Sequence, residues 1–421
     1  MSENTRRAEW ARSWPLPLIA MLGLTGPAAY AYSSGIFMEE MTRDLGWTKT
    51  EFSSALTLQM LLGIVVGPLA ARVLDRIGPR RMLLIGIVPF AIGLSLLGTT
   101  SAAMWHWWAL AAFLSLATAG VILAAWISGV VQNFDQSRGL AISVCLAGIG
   151  LATAIWPPLV AWLVGNLGWR ATFPAMAFGW ALVLLPLTFF FYKPAHKPVR
   201  RREVAPELPP LGPVLRSTTF WFLLGAAGLF SSIQLPLIVN LVPIARLQGV
   251  SLQTAAAIAG MIGLFSIAGR IGTGILLDIV PTRPVAIGAF LLVLPVIGLL
   301  ATAEGSVPLL LVAAALLGLA AGSEIDVVTY LCSRRFDPRI FGSVYTILQT
   351  GIAVCASLGP LLAGRLFDLT GSYDRFFVVA AVLNVIATAL IVVVLKPGRE
   401  TQFVNPGHMP LGTAKPAKSS S

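Results

Sequence analysis

With 421 residues, 57% of them hydrophobic and only 11% charged, the chain is far more apolar than a soluble domain, in which charged residues make up about a quarter. Its formal net charge of +11 raises nucleic acid as a partner, but the basic residues fall in short segments between long apolar runs and not on an aromatic-studded soluble surface. Composition therefore excludes a soluble enzyme or a nucleic-acid-binding domain and leaves a polytopic membrane protein, with the lipid bilayer as its surroundings.

Twelve apolar runs are long enough to cross a hydrocarbon core about 30 Å thick as helices. They cover residues 14–37, 51–74, 81–101, 104–131, 139–165 and 170–192, then 217–241, 251–277, 283–303, 306–333, 340–364 and 374–396. Basic residues before the first run and Ala29-Tyr30-Ala31 near its end imitate a cleaved secretory signal. Removing that run would leave eleven spans and spoil the two-half symmetry described below, so it is expected to be retained. The Pro- and Arg-rich segment 193–216 divides six spans from six as a linker. The expected organisation is an N-terminal segment 1–13, a six-helix bundle 14–192, the linker 193–216, a second bundle 217–396 and a disordered tail 397–421.

Orientation follows from the distribution of Lys and Arg. With both termini cytoplasmic, the inner segments hold 22 of them, and the outer loops hold six, namely Arg43, Lys49, Arg170, Arg246, Arg365 and Arg375. The positive-inside rule then places both termini, the linker and the tail in the cytoplasm, in the plasma or bacterial inner membrane. Arg270 is the one remaining cation of the 29. It lies inside the eighth span, within Gly263 to Asp278, where a guanidinium costs roughly 2.5–3.5 kcal/mol on insertion scales and requires a partner or a task. The tenth span carries two acids, Glu324 and Asp326. Successive helical residues turn by about 100°, so these carboxylates point about 200° apart and cannot both face one partner. Their depth matches that of Arg270 to within about a turn, which makes an ion pair with one of them geometrically possible.

The chain repeats itself. Asp75 and Asp278 are 203 residues apart, as are Gly139 and Gly342; Pro158-Leu-Val-Ala answers Pro360-Leu-Leu-Ala at 202, and Gly168 answers Gly371 at 203. An even number of spans separates the copies, so the halves share topology and are related by an axis along the membrane normal.

The loop after span two, ARVLDRIGPRR from Ala71 to Arg81, resembles the major facilitator superfamily motif Gly-x-x-x-Asp-Arg/Lys-x-Gly-x-Arg/Lys-Arg/Lys, with Asp75, Arg76, Gly78, Arg80 and Arg81 matching and Ala71 in place of the first Gly. The second copy keeps Gly274 and Asp278 but loses the basic cluster. The resemblance implies an all-α membrane fold of twelve helices in two pseudo-symmetric six-helix bundles, with these residues as a cytoplasmic gate. The bland alternative is a basic loop that only orients the chain. NFDQSRGLAISVCLAG (Asn133 to Gly148), NLGWR (Asn166 to Arg170), GPLLAGRLFDLTGSY (Gly359 to Tyr373) and GIFMEEMTRDLGW (Gly35 to Trp47) are similar to monocarboxylate carriers and the oxalate:formate antiporter group.

In those carriers an Arg of the eighth span receives the substrate carboxylate, and Arg270 stands at that place. A guanidinium suits the task because its planar fork donates two parallel hydrogen bonds to a carboxylate. The alternatives are a structural ion pair with an acid of span ten and snorkelling to the inner face. Ser266 replaces the acid that mammalian carriers hold four residues earlier, the first span lacks their Lys, and the eleventh span lacks the second cation of the oxalate antiporter, offering Tyr345 and Gln349 on one face instead. One deep cation fits one carboxylate.

The expected function is accordingly a secondary transporter of an organic monocarboxylate, coupled to protons by symport and working by alternating access. Substrate contact falls to Arg270, Tyr32, Tyr345 and Gln349, and proton coupling to Glu324 or Asp326. Further polar or amphipathic groups in the spans, Tyr30, Gln59, Trp126, Trp156, Gln234 and Asn240, are weaker cavity candidates. Efflux of lipophilic compounds and a non-transporting membrane sensor are the alternatives. No phosphate-cradling motif, nucleophile pair or metal-ligand spacing occurs, so no enzyme activity, cofactor or metal is expected, and the chain is expected to act as a monomer.

Overall fold

The computed structural model describes residues 2–134, 137–193, 211–336 and 340–395. The tail 397–421 and most of the 193–216 linker lie outside the described residues. A short α1 (Ser2–Ser13) precedes the first half, made of α2 (Pro15–Leu45), α3 (Lys49–Ile77), α4 (Pro79–Leu96), α5 (Met104–Thr118), α6 (Leu123–Val131) and α7 (Arg138–Phe190). The second half runs through α8 (Gly212–Arg216), α9 (Thr218–Leu247), α10 (Leu252–Ile279), α11 (Thr282–Leu291), α12 (Val293–Thr302), α13 (Val307–Arg335), α14 (Phe341–Thr370) and α15 (Asp374–Val394). Ten helical segments among the described residues are long and apolar enough to cross a membrane.

Ten segments make twelve passes for two reasons. The 53 residues of α7 would extend about 80 Å as one helix, far beyond a 30 Å core. The chain instead turns back at Gly168, whose φ of 76° and ψ of 163° break the helix, so α7 holds spans five and six. The remaining pass is α2, which has an acidic distal end but a buried body that includes Leu16, Ile19, Leu24, Ile36 and Phe37. Spans four and nine each consist of two consecutive helical pieces, α5 with α6 and α11 with α12.

The internal repeat reappears in the backbone. Gly46 and Gly249, and Gly168 and Gly371, are pairs 203 residues apart, and all four adopt positive φ between 70° and 85°. These turns lie on the face opposite the chain ends, called distal below; the face bearing the ends is the terminal face. α3 begins at the distal face with a capping box, in which the Thr48 hydroxyl accepts from the Glu51 amide at 3.1 Å and the Glu51 carboxylate accepts from the Thr48 amide at 2.8 Å.

Without a hydrophobic drive between helices in lipid, close packing and hydrogen bonds must hold them. α10 and α13 do this with small residues. A methyl group added at Gly322 of α13 would collide with the Ser266 carbonyl and come within 2.6 Å of the Arg270 amide nitrogen. Gly269 of α10 is pressed equally against Leu319. Beside this contact Thr273 donates to the Ser323 hydroxyl at 2.7 Å. The backbone that carries Arg270 is therefore fixed by its neighbour helix.

Gly322→Val should accordingly destabilise the protein by about 1–3 kcal/mol through overpacking. Gly298→Val, at a position where an added methyl meets nothing within 4 Å, should leave it unchanged. Thermal unfolding of the two variants in detergent checks the contrast.

Candidate functional site

Arg270 is half-exposed within α10, and no hydrogen bond or ion pair engages its guanidinium among the described residues. Its charge reaches two groups on other helices, the Tyr32 phenol of α2 and the Asp326 carboxylate of α13. Both of those side chains are also half-exposed. Glu324 faces elsewhere: it is only 4% exposed and accepts a hydrogen bond from Ser231 of α9 at 3.0 Å. The two acids are thus separated as the helical geometry requires, one toward Arg270 and one toward α9. Ser231 was not singled out in the sequence, since a serine in an apolar span carries no signal of which carboxylate it will meet.

Tyr345 and Gln349 share a face of α14 and bond to each other, the Gln349 amide donating to the Tyr345 hydroxyl at 2.8 Å. Thr329 of α13 also donates to that hydroxyl at 3.0 Å. This pair is therefore tied into the contact between α13 and α14. Trp126 is fully buried, packed edge-on against Tyr192 and lying under Gly23, so its role in the structure is packing. Asn240 is buried and donates to the Pro236 carbonyl at 2.8 Å.

At the terminal face, Asp75, Arg76, Arg81 and Asp278 are exposed, and neither acid carries a hydrogen bond or ion pair among the described residues. Gly78 closes α3 with a φ of 79°, and Arg80 donates to the Phe189 carbonyl at 2.7 Å, where a cation meets the negative end of α7. Gly274 has open space on its Cβ side.

The distal face is tied shut between the two halves. Asp368 of α14 accepts from the Lys49 amide at 3.0 Å, from the Thr50 amide at 2.8 Å and from the Thr50 hydroxyl, so it caps the N-terminus of α3 from the opposite bundle. Lys49 Nζ donates to the Tyr373 hydroxyl at 2.8 Å and lies 3.4 Å from the centre of the Phe367 ring, a cation–π contact. Tyr373 passes the chain on by donating to Asn240 Oδ1 at 2.8 Å. Burial pushes the Tyr373 phenol well above its ordinary pKa, with the Asp368 and Glu39 charges adding to the rise, so it stays a neutral donor. Arg246 of α9 pairs with Glu39 of α2 at 3.0 Å. Deeper along the same seam, Thr57 donates to the Ser357 carbonyl at 2.6 Å. The backbones of Gly35 and Val239 also touch there. In the sequence Lys49 and Arg246 stand only as outer-loop charges; the signal that points to the seam is the acid at the matching end of a span, Glu39 or Asp368.

A fold of two six-helix bundles, with a half-exposed cation inside one span and one face tied shut, is the architecture of a secondary transporter. The profile of the Major Facilitator Superfamily matches residues 18–304 and 273–418, and the chain belongs to that family. It is therefore an integral membrane transport protein and not an enzyme. Among curated proteins it is similar to monocarboxylate transporter 13 of Rattus norvegicus, 26% identical over 343 residues that cover 76% of this chain and 75% of that protein. It is also similar to the oxalate:formate antiporter of Oxalobacter formigenes, 25% identical over 241 residues covering 56% and 57%. Among solved structures, the nucleoside transporter NupG matches with a TM-score of 0.74 at 12% identity, covering 91% of this chain and 99% of that one. A D-xylose-proton symporter matches with a TM-score of 0.69 at 15% identity, covering 91% and 97%.

If the distal contacts hold the bundles together, Glu39→Gln combined with Asp368→Asn should shift the resting protein toward a distally open form. Spin labels on cysteines introduced at Arg43 and Leu247, at the distal ends of α2 and α9, should then show a longer distance by pulsed electron resonance than in the parent. An unchanged distance distribution would show that the polar contacts are dispensable to closure.

Proposed function

We propose that the protein carries an organic monocarboxylate together with a proton by alternating access, with Arg270 receiving the carboxylate. The observation that carries this reading is the guanidinium of Arg270, held within a membrane span and left without a hydrogen bond or ion pair by the described residues. Such a charge is expensive unless a ligand or water meets it. A single carboxylate matches both the charge and the fork geometry. The similarity to monocarboxylate transporters supports the same substrate class.

Tyr32 stands beside the guanidinium as a donor to the bound acid, while Tyr345 and Gln349 serve from α14 near the terminal face. Asp326 is the acid that Arg270 senses, so it balances the cation when the site is empty and takes up a proton when a substrate anion replaces it. Glu324, bonded to Ser231, is the second candidate for the proton. Asp75, Arg76, Gly78, Arg80, Arg81, Gly274 and Asp278 form the gate on the terminal face, released in this distally closed state and latched in the opposite one. The bundles are taken as residues 14–192 and 217–396, with both termini, the linker and the tail cytoplasmic. The protein works as a monomer in the plasma or bacterial inner membrane.

Uptake of labelled carboxylates into proteoliposomes, with and without an imposed pH gradient, tests the reading. Arg270→Gln should lower monocarboxylate transport roughly 100-fold, as expected when one partner of a desolvated charge pair is removed at a cost of about 2.7 kcal/mol. Normal transport by that variant would sink the carboxylate assignment.

The proton assignment has its own readout. Asp326→Asn should still exchange substrate across the membrane but lose accumulation driven by the pH gradient, with Glu324→Gln measured beside it. If both variants keep gradient-driven accumulation, neither acid couples the proton.

A further inference from the structure

A cavity of about 290 Å³ opens between the bundles on the side of α2 away from Arg270. Its walls come from α2, α3, α5 and the segment 119–122 of the first half and from Leu235 and Val239 of α9 and Pro360 of α14 in the second. Arg270 is not among them, and no charged side chain is. Tyr30 lines this cavity, whereas Tyr32, two residues and about 200° further round the helix, is the tyrosine that senses Arg270. α2 therefore stands between two different chemical environments.

The α3 wall presents Gln59, Gly63 and Gly67, four residues apart and so stacked on one face. Small residues at this spacing in a membrane helix ordinarily admit a neighbouring helix. Here they admit none. A methyl group added at Gly67 would meet nothing within 4 Å, and one at Gly63 only the Ser115 hydroxyl at 3.8 Å. The glycines clear a groove and leave it empty of protein.

Two polar groups face that groove unpartnered. Tyr30 is 4% exposed, and its hydroxyl makes no hydrogen bond among the described residues. The space it borders is this cavity. The Gln59 side-chain amide also has no partner among the described residues, although its backbone carbonyl accepts from Ser115 at 2.9 Å. The hydroxyls of Ser115 and Thr118 spend their protons on backbone carbonyls, so the phenol and the amide are the free donors on an otherwise apolar lining. Donors that reach an apolar cavity without a protein partner are available to a ligand carrying one acceptor, and fix its orientation there.

The internal repeat explains the arrangement. The 203-residue offset that relates Asp75 to Asp278 carries Gly67 onto Arg270 and Gly63 onto Ser266. The cavity on α3 is thus the pseudo-symmetric counterpart of the Arg270 site on α10, with the cation deleted.

We propose that this cavity is a second binding site, for an uncharged, largely apolar molecule carrying one hydroxyl or carbonyl group, which hydrogen-bonds Tyr30 and Gln59 while its body fills the groove at Gly63 and Gly67. Because both bundles contribute walls, a bound molecule wedges between them and holds the distally closed state.

The probes are 4-propylphenol, propylbenzene and anionic 3-(4-hydroxyphenyl)propionate, with binding read as stabilisation of the purified protein against thermal unfolding. 4-Propylphenol should bind, and roughly tenfold more tightly than either of the other two. Gly67→Leu, which fills the groove where an added side chain meets open space, should weaken it by at least about tenfold, while Arg270→Gln should leave it within about twofold. The double variant Tyr30→Phe, Gln59→Leu should remove the preference over propylbenzene. In the Glu39→Gln, Asp368→Asn background, 4-propylphenol should restore the short distance between labels at Arg43 and Leu247. Binding unaffected by Gly67→Leu overturns the site, since the probe then partitions only into detergent or lipid-facing surface. Equal binding of propylbenzene overturns the polar recognition, and binding lost in Arg270→Gln shows a single site at the cation.

Discussion

A cation inside hydrocarbon constrains everything around it. Arg270 cannot be tolerated by a helix that slides or rotates freely, because its guanidinium would follow the nearest water. The packing of α10 on α13 removes that freedom: at Gly322 and Gly269 the two backbones are in contact, and any side chain larger than hydrogen would push them apart. The same contact fixes the acids. Asp326 projects to the side where the Arg270 field is felt, and Glu324, 200° round the helix, is turned into α9 and bonded to Ser231. Position of the charge, identity of its acidic neighbour and exclusion of the other acid are thus one packing decision.

The distal seam follows a different logic, because it has to open. It relies on a carboxylate capping the start of α3, a cation over an aromatic ring and one ion pair whose partners keep a quarter to a third of their surface. Partly hydrated contacts of this kind contribute little individually. Several together hold the halves closed, yet each can return to water when the bundles rock. Buried contacts made wholly of desolvated charges would lock the seam in one state, since breaking them leaves uncompensated charge. At the other face Asp75 and Asp278 are exposed and unengaged among the described residues, as the proposed gate requires while the distal face is tied.

Much of this was legible in the chain. Twelve apolar runs, the 203-residue offset and the single cation within a span each reflect a local constraint imposed by the bilayer, which punishes polar groups wherever they occur. The facilitator motif and the family match agree with them. What could not be read were the pairings. Glu39 with Arg246, Asp368 with the start of α3, and Ser231 with Glu324 join residues 93 to 319 positions apart, and only the folded arrangement selects them. The turn between spans five and six, by contrast, falls where the runs 139–165 and 170–192 leave it, at Gly168.

Glycine spacing shows why sequence alone could not have found the second cavity. Gly318 and Gly322 on α13 and Gly63 and Gly67 on α3 are written identically, four residues apart in an apolar helix. The first pair has a neighbouring backbone pressed into it, and the second has space. The difference arises from the partner helix. α10 supplies glycine and serine at the contact and can come close, while the α3 groove faces α2, α5 and the opposite bundle across a gap. The internal repeat gives both halves the same helix order, and one offset position holds an arginine in one half and a glycine in the other. On the proposed reading, a chain with two equivalent niches but a charge in only one separates recognition of an anion from accommodation of an uncharged body. The two niches lie on opposite sides of α2, so a helix that moves with the first bundle bears on both.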